Sequence, residues 1–382
     1  MKTNFVYQAR VTFAFVVSGL LFGCGGGEDR TVINNVTVPP VVTNTVVATM
    51  NAGVNPAGLA ITPDNRFAYV ANNNNYGISG ANTVSVINLS KGTLETTIRC
   101  DCFHEPYTVA INSAGTKAYV TNSNASTISI IDIATNTVAK TVGGFDGPSG
   151  FAIAPDGKTA YVNNYGGPGG VQSGNGKTVN VYDIATDTIV GAPIQVGLAP
   201  AAVVMSPAGD FVYTINYTDG NPGTGSITKI NTKTNQVVGS AITGFSGPFA
   251  IALTPNGKFA YVTNFGSNNF SPIGTTVSVV DLDRSVISAT INLGVQPSGI
   301  AITPDGKYAY VSNYNTLYAG SNYTNLTAGQ GTVNVIDTAT NTVIAPTIVV
   351  GQSPANIAIS SDGKFAYVSN YTSGTISVIA LH

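Results

Sequence analysis

Short apolar runs alternate with polar punctuation along the chain, and the alternation repeats. The clearest unit is Pro297-Ser-Gly-Ile-Ala-Ile-Thr-Pro-Asp-Gly-Lys-Tyr-Ala-Tyr-Val-Ser-Asn313, with near-copies starting at Pro56, Pro106, Pro148, Pro200, Pro248 and Pro354. Gly-Ile-Ala-Ile is apolar enough for a buried inner strand, A. Pro-Asp-Gly-Lys predicts a tight turn, because Pro presets φ and Gly supplies the positive φ. Ala-Tyr-Val-Ser-Asn predicts strand B. A second half follows, as in Thr332-Val-Asn-Val-Ile-Asp-Thr-Ala-Thr-Asn-Thr-Val343. Its period-two alternation predicts strand C, a turn, and an outer strand D. Four short strands per unit, met seven times, is the pattern of propeller blades.

The two ends complement each other. The last copy stops at Thr375-Ile-Ser-Val-Ile-Ala-Leu-His382 and lacks strand D, while Thr43-Asn-Thr-Val-Val-Ala-Thr-Met50 matches the strand D of other copies. The N-terminal segment is therefore predicted to complete the seventh blade and close the ring, which removes an open sheet edge. The predicted fold is all-β: a seven-bladed propeller of four-stranded blades over residues 43–382.

Tyr261-Val-Thr-Asn264, Tyr119-Val-Thr-Asn122 and Tyr310-Val-Ser-Asn313, flanked by Asp-Gly-Lys and Ala-Thr-Asn-Thr-Val in several copies, resemble the YVTN-type β-propeller repeats. The resemblance covers residues 43–382 and implies this fold in a secreted or surface protein. Similar seven-bladed folds include lactonases and the heavy subunits of periplasmic amine dehydrogenases, so the resemblance hardly constrains activity.

Residues 1–23 read as an address. Lys2 and Arg10 precede the apolar run Val11 to Phe22, shorter than the roughly 20 residues that span a bilayer and suited to a signal peptide. Leu21-Phe22-Gly23-Cys24 resembles the bacterial lipobox, with Phe22 bulkier than usual. That resemblance implies lipidation of Cys24; an ordinary secretory signal is the alternative. Residues 24–42, with Gly25-Gly26-Gly27 and Pro39-Pro40, read as a flexible tether. Gly rather than Asp at position 25 implies an outer-membrane or cell-surface lipoprotein.

Charged residues make up only 9% of the chain, against about 25% in ordinary domains. A net charge of -2 without a basic run argues against nucleic-acid binding. Most acids are repeat-locked. Asp64, Asp156, Asp210, Asp305 and Asp362 fall in A–B turns, and Asp132, Asp183, Asp187, Asp281, Asp283 and Asp337 at or just beyond the end of strand C. Turn geometry explains them, and one carboxylate per turn is too few for Ca²⁺. Outside the tether, Glu95, Asp101, Glu105, Asp146 and Asp219 remain.

The last four lie in D–A connections or B–C insertions, which emerge on the same face because strands alternate in direction. The insertions carry Tyr76, Tyr165, Tyr217, Phe265, Phe270, Tyr314, Tyr318 and Tyr323 among Asn, Gly and Ser. That is the composition of adaptable recognition loops, although tolerated surface insertions would look similar.

One segment is chemically dense. Arg99-Cys100-Asp101-Cys102-Phe103-His104-Glu105 replaces the usual Val-Gly-x-x link before Pro106. Cys100 and Cys102 can form a disulfide outside the cytoplasm, remain free or intermolecular thiols, or join His104 as ligands of a soft or borderline metal. No Ser-His-Asp, haem, Walker or paired-His zinc motif is present, so no catalytic residues and no cofactor are assigned. The expectation is a monomeric, non-catalytic, lipid-anchored envelope propeller. Its loop face would bind a protein or glycan through Arg99, Asp101, Glu105, Asp146, Tyr165, Tyr217, Asp219, Phe265, Tyr314, Tyr318 and Tyr323. A lactonase-type or redox-accessory enzyme, or a metal module, is the alternative.

Overall fold

A computed structural model of the chain describes residues 43–73, 79–166, 175–218, 223–266, 273–318 and 326–381. The expectations for the signal segment, Cys24 and the tether lie outside these residues, as do those for Tyr76, Asp219, Phe270 and Tyr323.

Seven sheets form the propeller. Strand A is Pro56–Ile61 in blade one, Pro106–Ile111 in two, Pro148–Ile153 in three, Pro200–Met205 in four, Pro248–Leu253 in five, Pro297–Ile302 in six and Pro354–Ile359 in seven. Each strand A packs on the next around the axis, and that of blade seven packs on that of blade one. Strands B, C and D follow outward and antiparallel, as in blade one with Phe67–Asn72, Thr83–Asn88 and Thr93–Arg99. Blade four departs from the simple pattern: its strand D is split into Gln236–Val237 and Ile242–Phe245, with Gly239 at φ 70° between them. Blade six carries an extra hairpin, Thr316–Tyr318 against Leu326–Ala328, inside its B–C insertion.

The ring closes as the ends predict. Thr45–Asn51 pairs with the blade-seven strand C, Thr375–Ala380, so that Met50 faces Ile376 and Asn51 faces Thr375. Just ahead of that strand, Asn44 has φ 58° and its Oδ1 accepts a 2.6 Å bond from the Tyr310 hydroxyl of blade six.

That bond is one instance of a repeated joint. The strand-B tyrosine donates to the C–D turn asparagine of the next blade from Tyr69 to Asn136 at 2.5 Å, Tyr161 to Asn235 at 2.5 Å and Tyr261 to Asn341 at 2.6 Å. These asparagines have φ of 55–57°, a left-handed conformation that Asn tolerates better than most residues. The Ala-Thr-Asn-Thr motif thus shapes a turn and receives the neighbouring blade. Burial pushes the Tyr69, Tyr213 and Tyr261 hydroxyls up to about 12, so they stay protonated.

The last residue of the strand-B motif acts within its own blade. In all seven copies the Asn amide donates to side chains of strand C, as from Asn72 to Thr83 and Ser85, both at 2.9 Å, and from Asn264 to Thr276 and Ser278, both at 2.9 Å. Apolar packing fills the space between blades: Val84, Val86 and Ile98 of blade one meet Val109, Ala118 and Val120 of blade two. Each such buried Val or Ile stabilises by about 1.5–3 kcal/mol. The repeat-locked Asp residues are likewise structural. Thr62, Thr303 and Ser360 hydroxyls hold Asp64, Asp305 and Asp362 below the usual carboxylate range, and the Thr135, Thr186 and Thr340 amides do the same for Asp132, Asp183 and Asp337.

Candidate functional site

The B–C and D–A loops meet on one face. Tyr165 and Tyr217 from B–C loops pack on Leu198 and Ala199 from a D–A link, and the Tyr217 hydroxyl donates to the Gly266 carbonyl at 2.6 Å.

Several aromatics offered as contact residues are structural. Tyr165, Tyr217 and Phe265 are buried, Tyr217 to 3% exposure. Together with half-buried Tyr314 and Tyr371 they occupy one repeat position, the residue after the strand-B Asn, in blades three to seven. Ring centroids link Phe249 to Phe265 at 5.1 Å, Phe265 to Tyr314 at 6.0 Å and Tyr314 to Tyr371 at 6.5 Å. A row of packed aromatics therefore runs through blades three to seven on this face. Phe249 and Tyr371 belong to it and escaped the sequence reading; aligning that one position across the repeats would have exposed Tyr371. Tyr318 lies in the blade-six hairpin.

The blade one–two joint differs from this row. Arg99, Asp101 and His104 are exposed, and with Asn82, Thr83 and Cys100 they line a groove of about 490 Å³. Asp146 is exposed but outside the groove lining. Glu105 turns inward. Its φ is 51°, its amide donates to Asn82 Oδ1 at 2.9 Å, its Oε2 is buried without a partner, and burial raises its carboxyl above the usual range. It is a joint residue rather than a groove wall.

The joint is longer than its counterparts. From the residue paired with the start of strand C to the next strand-A Pro, the links Ala52–Asn55, Val196–Ala199, Leu293–Gln296 and Val350–Ser353 run four residues, and Cys100–Glu105 runs six. The extra length is taken up by a turn in which the Phe103 amide donates to the Cys100 carbonyl at 3.1 Å, and Phe103 fills the inter-blade core at 2% exposure. A disulfide joins Cys100 to Cys102 across the same turn, Cα atoms 5.0 Å apart. So paired, the sulfurs are not free thiolates, and the metal alternative loses two of its three ligands. Among the described residues no group of three His, Cys, Asp or Glu is placed to hold a metal ion.

Against known proteins, residues 242–381 match the family model for lactonases described as a 7-bladed beta-propeller. A stretch of 146 residues is 31% identical to the seven-bladed beta-propeller protein Rv1057 of Mycobacterium tuberculosis, covering 37% of this chain and 33% of that protein. A stretch of 60 residues is 45% identical to a PE-PGRS family protein of the same organism, covering 16% and 13%. The matches thus span a third or less of these curated relatives. Among solved structures, a chain of Kuenenia stuttgartiensis hydrazine synthase superposes with a TM-score of 0.71 over 87% of this chain and 97% of that one. The chain is a seven-bladed β-propeller. At 22% identity the last likeness is one of fold alone, and this fold hosts unrelated functions.

Proposed function

We propose that this propeller is a non-catalytic binding protein of the cell envelope, monomeric, tethered by a lipid on Cys24, and that it captures a protein or glycan partner at the blade one–two groove. One observation carries the reading. The aromatics of the loop face are largely spent on packing, whereas Arg99, Asp101 and His104 stand exposed around a groove of about 490 Å³. Charges of both signs beside a concave surface favour polar recognition.

The test is quantitative binding of labelled full-length protein to a glycan array and to envelope proteins. The double variant Arg99→Ala, His104→Ala is expected to lose at least tenfold in affinity for whatever wild type retains; unchanged retention would overturn the site. Release of Cys24→Ser protein into the soluble fraction checks the anchor.

The lactonase match over residues 242–381 favours a second reading, an enzyme acting on a lactone. Turnover of a lactone panel that fails in Arg99→Ala, His104→Ala protein would replace the binding reading.

A further inference from the structure

We propose that the Cys100–Cys102 bond is a reactive disulfide, which oxidises a dithiol partner arriving in the groove. The activity stands apart from the binding reading, because a small dithiol is enough to test it.

The fold has no evident need of this bond. Six other joints connect strand D to strand A without cysteine. The turn that the disulfide bridges is already closed by the Phe103 amide on the Cys100 carbonyl at 3.1 Å, and the buried Phe103 anchors it to the core. Disulfides stabilise mainly by closing long loops of the unfolded chain, and this pair is two residues apart.

Its surroundings suit exchange. Cys100 lines the groove, and both cysteines are partly exposed. Cys102 lies on the inner side, where the Ser129 hydroxyl of blade two donates to its sulfur at 3.5 Å. Attack by a partner thiolate on Cys100 Sγ forms the new S–S bond and breaks the Cys100–Cys102 bond. The electron pair leaves on Cys102 Sγ, where the Ser129 hydroxyl stabilises it. The partner's second thiolate then attacks its own sulfur in the mixed disulfide, expelling the Cys100 thiolate, and solvent protonates both cysteines. The partner ends as a disulfide and this protein as a dithiol, two electrons having passed between them. Arg99 and Asp101 flank Cys100 with opposite charges, so they bias the approach of a charged thiol in opposite directions.

The experiment follows reduction of the full-length protein, purified without reductant, by alkylation and mass spectrometry of the peptide holding Cys100 and Cys102. With dithiothreitol the rate should rise in proportion to reductant and ignore low urea. With glutathione, an anionic thiol, Arg99→Ala should slow the reaction about three- to tenfold and Asp101→Asn should speed it by a similar factor. Free thiols in the starting protein would overturn the proposal. So would reduction that tracks global unfolding, or charge variants that stay within twofold of wild type.

Discussion

The joint between blades one and two and that between blades five and six do the same mechanical task. Both leave strand D opposite the strand-C Thr that the strand-B Asn bonds, as Arg99 faces Thr83 and Asn292 faces Thr276. Both place a left-handed residue before the next Pro, Glu105 at 51° and Gln296 at 54°. The residue at that position has φ between 51° and 58° in every blade. In the five–six joint Gly294 lies against the Asn313 amide, leaving no room for a side chain. The one–two joint has Phe103 there instead, two more residues, a disulfide and exposed charges. Closure geometry is common to the ring, and the added chemistry is peculiar to one joint. The one–two joint thus departs from the repeat without disturbing closure.

Breaking the shared part should have the largest effects. Deleting residues 43–51 removes the closing strand together with its buried Met50 and exposes the edge Thr375–Ala380. The thermal midpoint should fall by about 10 °C or more, with aggregation, read by calorimetry. Next is Gly247→Ala. Gly247 has φ 54°, and a Cβ there would sit 2.2 Å from the Gly266 carbonyl oxygen. Because the backbone must shift, the cost should be about 2–4 kcal/mol in urea unfolding, although blade four carries Ala199 at the equivalent place.

A smaller, signed contrast sharpens the view of the tyrosine bridge. Tyr261→Phe removes the bond to Asn341 and should cost about 1 kcal/mol. Tyr119→Phe should be close to neutral, since its buried hydroxyl has no partner: Asp187 stands where Asn serves elsewhere and is taken up by Lys117 at 3.0 Å and Tyr182 at 3.3 Å. Equal losses in the two variants would sink the idea that this hydrogen bond locks blades together.

The smallest effect is a pH dependence. Burial raises the Glu105 carboxyl, so its ionisation opposes folding. Its contribution is fully present below the unfolded carboxylate pKa and is lost as pH rises through the higher folded value. The midpoint difference between Glu105→Gln and wild type should therefore open in the variant's favour as pH climbs through that window, and close at lower pH.

Much of the fold was legible because each repeat encodes its own joint. Asn44 and Thr45–Met50 could be matched to distant copies, since a strand D without the preceding turn Asn would not receive a neighbour's tyrosine. The site was legible only where it breaks the repeat, at Arg99–Glu105. Burial is not written in composition, so Tyr165, Tyr217 and Phe265 looked like loop aromatics although they are packed inside. Glu105 misled for a related reason: its charge suggested surface, but its left-handed backbone turns the side chain inward. The split strand D of blade four depends on Gly239, which the sequence does not separate from any other turn glycine.

The chemistry of the one–two joint is separable from the fold. The direct measurement replaces residues 100–105 with a copy of Leu293–Gln296 and records thermal midpoint and partner binding in one preparation. A three-residue disulfide loop is worth about 1.5 kcal/mol and the buried Phe103 about 1.5–3 kcal/mol, so the midpoint should fall by no more than about 10 °C while binding at the groove disappears. A graft that fails to fold, or one that folds and still binds, would contradict the account.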